Sequence, residues 1–205
     1  MSQNHFSRFL LSISLCCLLF VSGCTEQKTS LTENDLQDLS RHAVSLNTSN
    51  RFTLYPLIED KLADSPNPEF HKSVFEIAMV MDTLAMNYID QAGGIAENGT
   101  MMNPSDSGEK AVQLYQNLNT KQKLSSLVSK ARSLAGPADQ RLMRATEYVM
   151  QQKFLSDAPY FNPERLSQKP LSVLSLELLV LENQLCSLLL KEMSANRDEK
   201  QPAKY

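Results

Sequence analysis

Residues 70–92, FHKSVFEIAMVMDTLAMNYIDQA, decide the fold class. Within them Phe70, Val74, Ile77, Met81, Leu84 and Tyr88 recur at spacings of four, three, four, three and four, the rhythm of one face of an α-helix. A second apolar line, Phe75, Ala78, Ala85, Ile89 and Ala92, runs beside the first. Two lines on one helix require more than one covering neighbour, which is the situation of a helix inside a bundle. The segment DSPNP at 64–68 breaks the chain before this helix, and Gly93 with Gly94 closes it by the glycine route common at helix C-termini.

Working outward, the same period recurs on both sides. Ser30 and Glu33 make a capping-box pattern ahead of a first helix carrying Leu36, Leu39, Ala43 and Leu46. The polar NTSN at 47–50 weakens that pattern, and Phe52, Tyr55, Ile58 and Leu62 resume it around Pro56, as one kinked helix or two. Past the central helix, IAENGTMMNPSDSG at 95–108 has no period of its own. Loops of that length are usually functional or mobile, and Ile95, Met101 and Met102 make it a candidate contact surface, or alternatively a lid folded back on the bundle. Helix resumes near Glu109 with Ala111, Leu114, Tyr115 and Leu118, softens at 117–120, and continues through Leu124, Leu127, Ala131 and Leu134 to the stop at Gly136 and Pro137. The next helix carries Leu142, Ala145, Val149 and Phe154, and Pro159, Pro163 and Pro170 mark an extended crossing. The last helix starts at Pro170, with Leu171, Leu174, Leu178, Leu181, Leu185 and Leu188 in heptad spacing. Six glycines and no tryptophan argue against a turn-rich β-fold. The expectation is an all-α, antiparallel helical bundle of about five helices with one long loop, over residues 31–195, followed by a disordered tail at 196–205.

At the N-terminus, His5 and Arg8 precede an almost uninterrupted apolar run of 13 residues from Phe9 to Val21. A membrane-spanning helix needs about 20, so this run reads as the apolar region of a signal peptide. Its end, Val21, Ser22, Gly23 and Cys24, resembles the lipobox of bacterial lipoproteins, in which the chain is cut before a cysteine bearing lipid. That resemblance implies a signal peptide at 1–23, lipidation of Cys24, a polar tether at 24–30, and contact with a membrane through the acyl chains (palmitate among them). Thr25 stands where an aspartate often retains such lipoproteins in the inner membrane, which implies the outer membrane, facing the periplasm. Two or more acyl chains are needed for stable anchoring.

Cleavage leaves 182 residues, enough for one domain with a core. Losing Arg8 leaves 19 basic against 23 acidic residues, a net charge of −4, and no basic patch invites nucleic acid. Cys16 and Cys17 leave with the signal, so Cys186 remains alone with Cys24, and its setting in LENQLCSLLLKEM is that of a small buried hydrophobe. Neither a zinc-protease HExxH, a CxxC pair, a phosphate loop nor a nucleophile elbow is present. His42 and His71 have no second histidine or cysteine at ligand spacing; Asp38 can pair with His42 across one turn. Glu59 with Asp60, and Glu177 with Glu182, are poorly placed as acid–base pairs, and Asp139, Arg141, Arg144 and Glu147 read as a charged outer face. No catalytic, cofactor or metal-binding residue is therefore assigned, and no enzymatic activity is expected.

A second resemblance spans most of the mature chain. The stretches DKLADSPNPEFHKSVFEIAMVMDTLAMNYIDQAGG, GEKAVQLYQNLNTKQKLSSL and QKPLSVLSLELLVLENQL, in that order, look like the N-terminal periplasmic helical domain of the motor subunit of gliding motility and type IX secretion. Both have the helix end YI-x-x-x-GG, here Tyr88, Ile89, Gly93 and Gly94. That subunit is held by an inner-membrane helix coupled to a proton-driven partner and carries further β-rich domains, whereas this chain reads as one lipid-anchored domain. The motor role therefore does not carry over. What the resemblance implies is a helical module that dimerises or contacts other envelope proteins. Two functions follow as expectations: a lipid-anchored periplasmic scaffold or accessory protein acting by protein–protein binding, or a small-molecule-binding or sensory helical bundle.

Overall fold

The computed structural model describes residues 31–109, 119–151, 154 and 168–198. The signal peptide, the tether, the helical turns expected at 110–118 and the proline crossing at 155–167 lie outside the described residues, as does the tail beyond 198. The fold is an all-α bundle. Its described helices are α1 (Glu33–Ser49), α2 (Tyr55–Leu62), α3 (Pro68–Gln91), α4 (Thr120–Leu134), α5 (Gln140–Met150) and α6 (Leu171–Asp198). A π-helical turn, Asn50–Leu54, joins α1 to α2, so the two form one continuous rod and the bundle has five rods among the described residues.

That turn resolves the ambiguity at Pro56. Proline has no N–H to offer the carbonyl four residues earlier, and its ring crowds that carbonyl. Widening the turn by one residue relieves both: Tyr55 donates its backbone N–H to the Asn50 carbonyl, five residues back, and Pro56 falls in the first turn of α2. The inward positions run Ala43, Asn47 and Asn50, then skip five to Tyr55, then Ile58. Phe52, grouped with the apolar face by its three-residue spacing to Tyr55, is instead 79% exposed. The start of α1 also differs from the expected Ser30–Glu33 box. Thr32 is the N-cap, its hydroxyl accepting from the Asp35 N–H while the Asp35 carboxylate accepts from the Thr32 N–H at 2.8 Å. The same chemistry starts the helix two residues later.

The central helix is α3, and every residue of both its apolar lines is buried. Around it the neighbours run antiparallel. Asp82 of α3 meets Asn47 and Arg51, and Phe75 packs edge-on against Tyr55 with ring centroids 5.1 Å apart. Glu76 of α3 faces Lys130 of α4, while Asn67, just before α3, donates to the Leu134 carbonyl at the far end of α4. The first rod and α6 lie on α3 parallel to each other, since Asn50, Tyr55 and Lys61 meet Leu179, Glu182 and Ser194 in rising order. A parallel pair needs a long return, which the intervening chain supplies.

In α6 the heptad leucines are only part of the buried face. Leu171, Leu174, Leu178 and Leu185 are buried, but Leu181 and Leu188 lie at its margin, and Leu179, Glu182, Cys186, Leu189 and Met193 complete it. A strict seven-residue repeat drifts about 20° per heptad on a straight helix, which carries later positions off the seam. The segment Leu171–Ala195 is long and apolar enough to cross a membrane, with mean hydropathy 1.6. Here its buried face serves the bundle core. The same frame shift by one position applies in α5, where Leu142, Met143, Thr146 and Met150 are buried and Ala145 and Val149 flank them. Helix α6 continues to Asp198, three residues past the expected domain edge.

Helix α3 ends in a Schellman arrangement: Gly94 N–H reaches the Ile89 carbonyl and Gly93 N–H the Asp90 carbonyl, each at 3.0 Å. Both glycines have positive φ, +90° and +85°. A Cβ at Gly93 would stand 3.0 Å from Asn103 Nδ2 and 3.2 Å from Met102 Cβ, whereas one at Gly94 meets nothing. Gly94→Ala is expected to cost about 1 kcal/mol through backbone strain. Gly93→Ala should cost clearly more, and urea titration of the two variants checks the order.

Candidate functional site

The loop at 95–108 is a hydrogen-bonded tongue. Gly99 N–H closes a turn onto the Ala96 carbonyl at 2.9 Å, Ala96 N–H meets the Thr100 carbonyl at 2.8 Å, and Met102 N–H meets the Gly94 carbonyl at 3.0 Å, so 94–102 is a miniature hairpin. Gly99 supplies the positive φ, +77°, that such a turn requires. The hairpin is pinned to α1, where the buried Ser40 hydroxyl accepts from the Met101 N–H. Its base is pinned to the start of α6: Ser172 donates its hydroxyl to the Pro104 carbonyl at 2.8 Å, and Leu171 N–H donates to Asp106. Of the three candidate contact residues, Met101 is 1% exposed and belongs to the core, as a lid would. Ile95 and Met102 remain outside, 48% and 61% exposed. The candidate contact surface is therefore reduced to Ile95 and Met102.

A different constellation, spread over the whole chain, lies at the π-helical turn. Asp82 of α3, 7% exposed at its side chain, accepts from Arg51 through Nε at 3.2 and 3.1 Å and through Nη2 at 2.5 Å, and from Asn47 Nδ2 at 2.6 Å. Across α6, Tyr55 donates its hydroxyl to Glu182 Oε1 at 2.6 Å, and Asn183 Nδ2 donates to Asn50 Oδ1 at 2.6 Å. Glu182 is fully buried, and its Oε2 has no hydrogen-bond partner among the described residues. Burial pushes its carboxyl up to about 8, aided by the nearby Asp82 charge and opposed by the Tyr55 hydrogen bond. Glu182 is therefore largely a neutral acid at pH 7. Burial and the adjacent Glu182 also raise the Tyr55 phenol far above its ordinary range, and burial raises the Cys186 thiol. Cys186 is thus an inert core residue.

The signals for this cluster were present but misread. NTSN interrupts the apolar period of α1, yet Asn47 and Asn50 are the positions that point inward. Glu182 was set against Glu177 as a failed pair, while its place in the leucine face of α6 is what carries information. Glu177 instead takes Lys169 at 2.8 Å, and Glu59 and Asp60 are exposed.

A second buried group sits at the opposite end of α3. Asp139 was expected on a charged outer face, but it is 5% exposed. Its Oδ2 accepts from Gly136 N–H at 2.8 Å and Asn67 Nδ2 at 2.7 Å, fastening the start of α3 to the α4–α5 corner. Its Oδ1 faces His71 Nε2 at 3.6 Å. His71 is completely buried, with neither ring nitrogen hydrogen-bonded among the described residues. Burial lowers its affinity for a proton, with Asp139 and Glu192 opposing. The stability this neutral histidine contributes is present above pH 6.5, its ordinary value, and is lost as pH falls through the lowered one. Below pH 6 the urea midpoint of the native protein should therefore lose ground relative to that of His71→Leu. The expected Asp38–His42 pair is replaced by Asp38–Arg41, one residue closer. Arg132 takes Glu147 at 2.6 Å, while Arg141 and Arg144 are exposed as expected.

Among the described residues no three histidine, cysteine or carboxylate side chains gather to hold a metal ion. No protein-family model, curated protein or solved structure matches the chain. Its class is thus defined by the fold and its buried polar groups: an all-α bundle with an ionisable cluster at a π-helical turn.

Proposed function

We propose that this protein is a lipid-anchored periplasmic scaffold or accessory protein that works by binding another protein. The observation that carries this is the hairpin at 94–102, hydrogen-bonded to α1 and to the start of α6, which leaves Ile95 and Met102 exposed. Apolar side chains held out by a fastened backbone lose little entropy on docking, which favours recognition. The anchor at Cys24, after removal of residues 1–23, would hold the bundle at the outer membrane by its tether. The partner is an envelope protein or a second copy of the chain, in an assembly of the gliding-motility or type IX secretion kind, and the protein holds its partner without turnover.

A photo-crosslinking residue placed at 95 or 102 in growing cells should trap one defined species, and the same probe at the exposed Asp60 should not. Equal background at all three positions would sink the reading. Ile95→Asp and Met102→Asp should abolish the crosslink while changing stability by less than about 0.5 kcal/mol, as surface substitutions do. Metabolic labelling with an alkyne fatty acid should mark the native protein and not Cys24→Ser. Turnover of a substrate by the purified protein, lost on one point substitution, would place it elsewhere.

The sensory alternative draws on the buried cluster around Glu182, since a bundle that houses polar groups between helices can respond to a ligand or to a proton. A thermal shift with a metabolite, absent in Tyr55→Phe, would favour it.

A further inference from the structure

Two carboxyl groups and one cation meet at the π-helical turn from three different elements. Asp82 comes from α3, Glu182 from α6, and Arg51 from the turn itself. The titratable and charged groups facing Glu182 are Tyr55 and Arg51 from the first rod, Asp82 from α3 and Cys186 from its own helix. Arg51 is already engaged: three of its N–H···O contacts go to Asp82, which also takes Asn47. Glu182 takes the Tyr55 hydroxyl and has the Asn50 side chain beside it, and its Oε2 is buried with no hydrogen bond among the described residues.

This arrangement suits a neutral acid and not an anion. A protonated carboxyl with one hydrogen bond is tolerable in a core, but an ionised one with a bare oxygen is costly unless paired. Ionisation can be relieved in two ways, by drawing Arg51 away from Asp82 or by admitting water. Both act at the same place. The π turn is the weakest part of the rod, since Pro56 offers no N–H and the i-to-i+5 geometry departs from the regular helix. Arg51 and Phe52 within it already border water, 41% exposed at the arginine side chain and 79% at Phe52.

We propose that the proton on Glu182 latches the first rod to α6, so that losing it opens the π-helical turn and parts residues 50–58 from residues 179–186. The latch couples the protonation state of one buried side chain to the packing of three helices. It is independent of where the protein resides and of what it binds.

Hydrogen exchange followed by mass spectrometry on the full chain in detergent, between pH 6 and pH 9, tests the idea. Rates are corrected for the intrinsic pH dependence of exchange. Peptides covering 50–58 and 179–186 should lose at least tenfold in protection as pH rises, while those covering 70–81 stay constant. Glu182→Gln, still helical by circular dichroism, should hold its protection throughout. Tyr55→Phe removes the bond that favours the anion and should move the transition to higher pH. Asp82→Asn removes a like charge and frees Arg51, and should move it lower. A flat profile in the native protein, an undiminished loss in Glu182→Gln, or shifts of the same sign in Tyr55→Phe and Asp82→Asn would each overturn the proposal. Should Glu182→Gln fail to fold, the opposed shifts of the other two variants decide.

Discussion

Glutamine in place of Glu182 is expected to remove most of the alkaline loss of stability of this protein. The carboxyl is raised from 4.5 to about 8 in the folded state, so the folded chain binds more protons than the unfolded chain between those values. The favourable contribution is complete below about pH 4.5 and is lost as pH rises through about 8, which is the reverse of the usual carboxylate. The expected loss between pH 5 and pH 9 is roughly 4 kcal/mol, at about 1.4 kcal/mol per pH unit across the window from 4.5 to about 8. Glutamine keeps the shape and the acceptor for the Tyr55 hydroxyl and carries no charge at any pH. Urea unfolding across that range should give a falling curve for the native protein and a nearly level one for Glu182→Gln. A variant less stable than the native protein at pH 9 would contradict the assignment. Above pH 6.5 the contribution of the neutral His71 is complete while that of Glu182 continues to fall, so stability should decline from there toward pH 8.

The second large effect lies in the centre of the bundle. Phe70 is fully buried in the first turn of α3, its ring centroid 5.3 Å from that of His71. Truncation to alanine removes apolar contact on all sides and leaves a cavity that flanking helices cannot fill, at a cost of about 3–5 kcal/mol. For a domain of this size that corresponds to a fall in Tm of about 10 °C. Met79, on the same helix but 43% exposed, provides the control: Met79→Ala should change stability by about 0.5 kcal/mol or less. Equal losses in both variants would mean that α3 is not the buried axis of the bundle.

How much was legible depended on whether a residue's role was set by its immediate neighbours in the chain. The two lines of α3 were read correctly because period and burial coincide on a helix covered from several sides. The glycine pair at 93 and 94, the softening near Asn119 (φ 50°) and the stop at Gly136 were also readable, since each is a local backbone requirement. Phe52 was misplaced because one inserted residue turns the following side chains by about 100°, and nothing in the local composition reports a π turn. Asp139 was taken for a surface charge because the partners that bury it, Asn67 and His71, stand about 70 residues earlier in sequence. Within the hairpin, Met101 and Met102 are chemically the same, and only the hydrogen bond to Ser40 tells which one enters the core.

By itself the sequence determined an all-α bundle, its central helix and its major breaks, because helical periodicity and glycine and proline geometry are properties of contiguous residues. Only the tertiary structure decided that Asn47, Asn50, Arg51, Tyr55, Asp82 and Glu182 meet in one cluster, with Asn47, Asn50, Asp82 and Glu182 buried. These six come from three rods, the first rod, α3 and α6, and are polar residues that would ordinarily face water. Which of them do so depends on the register in which α1, α3 and α6 meet, and that register is set by packing across the bundle, beyond the reach of any local pattern.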